Sequence, residues 1–184
     1  MNPPVVYGIA LALASAFLTL ALYFLGYHSD AAKLTQAQLI GNVGLLAIGI
    51  TCTVLGIKGQ RAETPAEKEF SYGRALGAGV MVSLVAAVIG IATNWFYFQI
   101  INPGFRDLLV QAQLDQMAAK GMNSDQLDKA EKGIRFIMQP MILMLFAFIG
   151  SIFWGTIISL VAAAFLKRPA AAVTAATAEP PTLA

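Results

Sequence analysis

The sequence predicts an all-α integral membrane protein: a four-helix transmembrane bundle with an amphipathic helical hairpin between its third and fourth spans. The first observation behind this fold class is composition, because 58% of the residues are hydrophobic and 12% are charged, against about 25% charged in soluble proteins. The second is a set of four long apolar runs, each near the roughly 20 residues that cross a bilayer. The third is one charged segment, residues 105–139, between the last two runs.

The chain of 184 residues has room for these crossings and one modest segment outside the bilayer, so we expect a single membrane domain over residues 1–168. Residues 169–184 are rich in alanine, threonine and proline, a composition typical of a disordered tail. The net charge of +2 comes from short clusters beside the spans and gives no indication of nucleic-acid binding. Cys52 lies in an apolar run, where we expect a small buried residue and no disulfide.

The first two spans are predicted at residues 5–27 and 39–57. No Lys or Arg precedes the first run, and the run continues well past Ala12, Ala14 and Ala16, so we expect a retained helix rather than a cleaved signal peptide. The second span is rich in glycine, which membrane helices tolerate where close packing rewards it. Both helices are therefore expected to pack against neighbours.

The third span, residues 72–101, carries almost no charge and is the element around which the others are expected to pack. Ser71 is a suitable N-cap, and Asn102-Pro103 ends the helix because proline lacks a donor and restricts the residue before it. Small residues at every fourth position let another helix backbone approach one face closely. They are Ala75, Gly79, Ser83 and Ala87.

The charged segment is predicted to be a hairpin of two helices. The first helix covers residues 106–120 and is closed by Gly121, and the second begins at Asp125 behind a cap at Asn123 or Ser124. Basic and acidic side chains balance, so we expect no anchor for anionic lipid. The apolar face of the second helix predicts a docking surface for a protein partner or a lipid headgroup, formed by Leu127, Ala130, Ile134 and Ile137.

The fourth span is predicted at residues 141–166, after Pro140. It carries the longest stripe of small residues, so we expect the third and fourth spans to form the most closely packed helix pair. Basic residues are concentrated in the loop between the second and third spans and at Lys167 and Arg168, which favours cytoplasmic termini and an external hairpin. The stripe consists of Ser151, Gly155, Ser159 and Ala163.

Several short patterns together carry a family resemblance. Phe70-Ser71-Tyr72-Gly73-Arg74-Ala75 opens the third span and Ile101-Asn102-Pro103-Gly104-Phe105 closes it, followed by the charged hairpin with Met117, then Ser159-Leu160 and Lys167-Arg168. In their order and spacing these patterns make residues 5–168 resemble a family of small four-span bacterial inner-membrane proteins that is classified only as a domain of unknown function. The resemblance implies the four-span fold with its long hairpin, and it implies no catalytic residue.

Residues that could carry chemistry are few. No Asp, Glu, Lys or Arg lies in the core of a predicted span, which argues against ion-coupled transport and intramembrane catalysis, so we expect no enzyme and no cofactor. His28 is interpreted as an interfacial residue rather than a pH sensor. Met138, Met141 and Met144 lie near one helix face and are soft ligands of the kind that Cu(I) prefers. Pro140 interrupts that face, and methionine also serves as flexible apolar filling.

The sequence favours a non-enzymatic accessory or scaffolding protein of the bacterial cytoplasmic membrane, acting through helix packing and its hairpin. The alternative is a facilitative transporter or channel subunit for small uncharged solutes, along a path near Asn42, Thr51, Ser83 and Asn94. A cavity lined by those residues would support transport, whereas small-residue faces closed against each other would support a scaffold. Glycine-rich faces also permit a homo-oligomer.

Overall fold

A computed structural model describes residues 2–170; the rest of the predicted tail, residues 171–184, lies outside the described residues. The described chain is helical, with an isolated β-bridge between Phe70 and Arg168. Its α-helices are α1 (Pro3–Phe24), α2 (Leu34–Glu63), α3 (Tyr72–Phe96), α4 (Phe105–Ala119), α5 (Ser124–Ile137) and α6 (Pro140–Leu166). A 3-10 turn, Ala31–Lys33, precedes α2, and a π-helical segment, Tyr97–Ile101, extends α3.

The helices α1, α2, α3 and α6 are each long and apolar enough to cross a membrane. Their lengths match the roughly 20 residues that a hydrocarbon core requires. The chain therefore has the architecture of a multi-pass membrane protein, and α4 and α5 form the hairpin between the last two spans.

The helix boundaries differ from the predicted spans mainly at α2. This helix begins at Leu34 and ends at Glu63, several residues beyond the predicted span at each end. Hydropathy marks only the part of a helix that lies in hydrocarbon, and the flanking Gln, Lys, Arg and Glu residues are good helix formers that continue the helix into the polar region.

The local signals at the helix ends are confirmed. The Ser71 hydroxyl caps α3 by accepting from the Arg74 backbone N–H at 3.4 Å. Asn123 and Gln126 form a reciprocal capping box at the start of α5. Gly121 adopts a φ of 87° after α4, a left-handed conformation that suits glycine at a helix C-terminus. Each of these contacts spans only a few residues, which is why the sequence reveals it.

The four spanning helices form an antiparallel bundle in which α3 is central. It packs against α1, α2 and α6, and its contact with α6 is the most extensive in the molecule. The helix α2 also packs against α1 and α6. Because the chain reverses direction between successive spans, α1 and α3 run one way and α2 and α6 the other.

One end of the bundle is tightly closed. Phe70 and Arg168 exchange two backbone hydrogen bonds of 2.9 Å, and the Arg168 guanidinium donates to the carbonyls of Thr64 and Pro65. Phe70 is fully buried there, in a cluster with Ile57, Ala75, Ala78, Ala162 and Ala163. The loop between α2 and α3 is thereby fastened to the end of α6, and we call this region the closed end.

Candidate functional site: an interhelical cavity

The two small-residue stripes meet in register at the α3–α6 interface. The position of a Cβ on Gly79 would overlap Ser159, and the position of a Cβ on Gly155 would overlap Ser83. Each glycine thus receives a serine from the other helix, which brings the two backbones close. Both serine hydroxyls donate to a carbonyl four residues back in their own helix, so the interface contains no unsatisfied hydroxyl donor.

The stripes separate toward the hairpin, where a cavity of about 1020 Å³ opens between α1, α2, α3 and α6. Ala87 of α3 and Ser151 of α6 line this cavity rather than touching a facing glycine. Most of its wall is apolar. The polar side chains in the wall are uncharged, and they belong to Ser15, Thr19, Asn42, Thr53, Ser83, Thr93, Asn94, Tyr97 and Ser151.

Most of the residues that the sequence predicted along a path for an uncharged solute line the cavity. Asn42, Ser83 and Asn94 line it. Thr51 does not, because it is exposed on the outside of α2 and its hydroxyl donates to the Ala47 carbonyl at 2.8 Å. Thr53, which is 1% exposed, lines the cavity instead. Two residues of a helix separated by one position point in roughly opposite directions, so the bundle geometry decides which threonine faces inward.

Hydrogen bonds within the helices occupy several donors of the cavity wall and leave hydrogen-bond acceptors free. Four of its polar side chains donate to a backbone carbonyl of their own helix, at 2.7 to 3.2 Å: Ser15, Thr19, Thr93 and Asn94. A hydroxyl whose O–H is used in this way still offers its oxygen lone pairs, and the Asn94 amide keeps its oxygen and a second N–H. The wall therefore suits a ligand that brings hydroxyl or amide donors and carries no charge, since an unpaired charge in an apolar site is costly.

Close backbone approaches end the cavity on the side of the closed end. A Cβ on Gly8 would lie 2.6 Å from the Val85 side chain, and one on Gly56 would lie 2.5 Å from that of Val82. The helices α1, α2 and α3 therefore converge below the cavity. In the described conformation the cavity belongs to the hairpin half of the bundle and does not continue to the closed end.

Tyr97 lines the cavity on the hairpin side and belongs to a cluster of aromatic and polar side chains. The Tyr97 hydroxyl lies 2.5 Å from Nδ1 of His28 and accepts from Nδ2 of Asn102 at 3.2 Å. Asn102 also donates to the His28 carbonyl, and the imidazole stacks on Phe105 with ring centroids 4.4 Å apart. These contacts fix the π-helical segment at the end of α3 against the loop after α1.

His28 is buried by neighbours that the sequence did not indicate. Its exposure is 8%, and burial lowers the pKa of the imidazole because desolvation disfavours the charged form. A neutral imidazole that carries its proton on Nε2 can accept a hydrogen bond from the Tyr97 hydroxyl at Nδ1. The residues that bury it lie far away in sequence, in α3 and at the start of α4, so no local pattern indicated the contact.

The hairpin uses part of its predicted docking face internally. Ile134 is 8% exposed and Leu127 and Ala130 are half-buried, whereas Ile137 is 50% exposed. The face centred on Ile134 is therefore not an open surface. Arg135 contacts Glu131 at 2.7 Å and Asp107 of α4 at 2.8 Å. The second of these ion pairs joins the two hairpin helices.

The three methionines near the start of α6 lie in different surroundings. Met144 lines the cavity, and Met138 lines a smaller groove beneath α4. Met141 points away from both and is 82% exposed. Their thioethers are not gathered at one place, because Pro140 begins a new helix between the first methionine and the other two.

Fold and cavity together define a class, that of four-span helical membrane proteins with an uncharged pocket between the helices. Residues 6–168 match a family described as a protein of unknown function, DUF4199. The match covers most of the chain, which therefore belongs to this family, as the resemblance of its sequence patterns indicated. Comparison with curated proteins and with solved structures gives no match.

Proposed function

We propose that this chain is a non-enzymatic protein of the bacterial cytoplasmic membrane that takes up a small uncharged solute in its cavity and facilitates the passage of that solute. Both termini and the closed end face the cytoplasm in this proposal, and the hairpin lies outside. The observation that supports it is the cavity itself. Its volume of 1020 Å³ lies at the upper end of the range for small-molecule pockets, about 300–1,000 Å³. Its uncharged wall matches a solute that moves without a coupling ion.

In this proposal the closed end is the barrier that the solute must pass. The described conformation has its cavity in the hairpin half of the bundle, and Phe70, Arg168 and the converging α1, α2 and α3 backbones seal the other end. Passage requires a second conformation in which these contacts separate. Because the solute is uncharged, only its concentration gradient would set the direction of flow.

Solute flux into vesicles tests this function. Purified full-length protein is reconstituted in phosphatidylcholine vesicles, and glycerol uptake is followed by stopped-flow light scattering. Gly150 lines the cavity, and a Cβ there meets no atom within 4 Å, so Gly150→Leu has room for its Cβ and reduces the cavity volume. We expect flux to fall about tenfold, which corresponds to a barrier raised by about 1.4 kcal/mol.

Thr51→Leu is the matched control, since it changes an exposed position of α2 that does not line the cavity. We expect it to keep the flux of the unaltered protein. Equal flux through vesicles with and without protein, for glycerol and for urea, would refute facilitated passage. Equal losses in both variants would show that the effect does not come from the cavity.

A scaffolding role is the second candidate, and exposed apolar residues at the end of α5 favour it. Phe136 is 60% exposed and Ile137 is 50% exposed. A photoreactive residue at Ile137, with one at the buried Ile134 as control, tests this role in native membranes. Capture of one protein species from position 137 alone supports docking. Crosslinks to lipid or to the chain itself would exclude it.

A further inference from the structure

A second, smaller groove lies beneath α4 and adjoins the cavity. Its volume is about 300 Å³, and its wall comes from the starts of α2 and α6 together with α4. Ala147 of α6 lines both the groove and the cavity. The helix α4 contributes Leu109, Ala112, Gln113 and Gln116 to the wall of the groove. The two spaces therefore follow one another along the seam between α2 and α6.

The groove differs from the cavity in its chemistry. Polar side chains from two elements converge on it, and all of them are uncharged: Thr35, Gln38, Gln113 and Gln116. An amide side chain presents both donors and an acceptor, so this set can bond a hydroxyl group from several directions. No charged residue lines the groove. A phosphate or ammonium headgroup would find no counter-ion there.

The groove and the cavity lie at different levels along the bundle. The groove lies where α2 and α6 begin and where α4 crosses them. A bilayer that covers the apolar stretches of the spans would place it near the membrane surface. The cavity lies deeper, between apolar stretches of all four spans. A polar compartment at the interface that leads into an apolar compartment fits a molecule with a polar head and a hydrocarbon body.

From this arrangement we infer that the natural ligand is a lipid with an uncharged, hydroxyl-bearing headgroup, whose head binds in the α2–α4–α6 groove and whose hydrocarbon chain occupies the cavity. The inference rests on the proposed function for the use of the cavity, and it replaces a freely soluble solute by an amphipathic one. The accepting oxygens of Asn94 and Ser15 meet any further hydroxyl group along the chain.

Photolabelling with a defined lipid probe tests the assignment. Full-length protein in phosphatidylcholine nanodiscs is mixed with a monoacylglycerol that carries a diazirine in its acyl chain, irradiated, and analysed by peptide mass spectrometry. We expect saturable labels in the cavity stretch of α6, near Met144 and Phe148. A diazirine alkane without a headgroup and a lysophosphatidic acid analogue should label this stretch only at background.

Paired variants of α4 locate the headgroup. Gln113→Leu removes an amide from the groove, whereas Gln111→Leu removes one that bonds Asp115 of the same helix and does not line the groove. We expect Gln113→Leu to weaken labelling about threefold to tenfold, the factor for one lost hydrogen bond, and Gln111→Leu to leave it unchanged. Ala147→Trp, at an exposed position between the two spaces, should abolish the α6 label.

The possible outcomes separate the two proposals. Equal labelling by the headless alkane, or equal effects of the Gln113 and Gln111 variants, would overturn the lipid assignment. Glycerol flux that Gly150→Leu blocks, without any monoacylglycerol label, would overturn it too and leave facilitated passage in place. Specific labelling without solute flux would support the lipid site and refute the passage of small solutes.

Discussion

Two glycines of α6 provide a direct measure of how closely α3 and α6 must approach. A Cβ on Gly155 would overlap the Ser83 side chain, whereas a Cβ on Gly150 meets nothing within 4 Å. Replacing either glycine by alanine brings the same helix-propensity gain of up to about 1 kcal/mol. The difference between the two variants therefore isolates overpacking, which costs about 1–3 kcal/mol in a well-packed core. We expect Gly155→Ala to be less stable than Gly150→Ala by that amount.

Reversible unfolding in mixed micelles, followed by tryptophan fluorescence, supplies the measurement. Ser83→Gly removes both atoms that the new methyl group would overlap, so the double variant Ser83→Gly with Gly155→Ala should recover stability, with a coupling of about 0.5–3 kcal/mol between the two sites. Identical stabilities for the two alanine variants would refute the close approach. Strict additivity of Ser83→Gly and Gly155→Ala would refute it independently.

Three further results are expected. Phe70→Ala removes a fully buried ring from the closed end and should lower the free energy of unfolding by about 3–5 kcal/mol; a loss under about 1 kcal/mol in the same assay would contradict the packing described there. Because burial lowers the pKa of His28, the neutral imidazole contributes stability that is present above its unfolded pKa of about 6.5 and is lost as pH falls through the lower folded value. The unaltered protein should therefore unfold at lower denaturant concentrations as the pH is reduced below about 6.5. His28→Gln should flatten this dependence of stability on pH, and an unchanged dependence in the variant would show that another group titrates. In a Cys52→Ser background, a water-soluble thiol reagent should modify a cysteine at the cavity residue Asn94 much faster than one at Ala78, which is 7% exposed near the closed end; equal rates would contradict a one-ended cavity.

The spans and caps followed from the sequence because their causes are local. A membrane helix must satisfy its backbone hydrogen bonds internally, so an apolar run of sufficient length is enough to indicate one. The capping box at Asn123 and the left-handed Gly121 likewise involve neighbours a few residues away. The stripe of α3 from Ala75 to Ala87 marked the face that packs, since small residues at every fourth position recur on one side of a helix.

The sequence did not show which contacts join distant parts of the chain. Tyr97 and Phe105 bury His28. Thr51 lies on the outside of α2, whereas the other residues of the predicted solute path line the cavity. The chain itself covers Ile134 of the predicted docking face. Each case concerns which neighbour a face meets, a question that depends on helix rotation and on the order of helices in the bundle.

By itself the sequence determined the number of spanning helices, most of their ends and the faces on which small residues gather, because hydropathy, capping and helical periodicity act over one or two turns. Only the tertiary structure decided where the two stripes stay closed and where they separate. The helices close where glycine meets serine, at Gly79 with Ser159 and Gly155 with Ser83. They part toward the hairpin, where Ala87 and Ser151 face open space. A cavity forms where the helix surfaces do not touch, and where they do not touch depends on the packing of all four helices together.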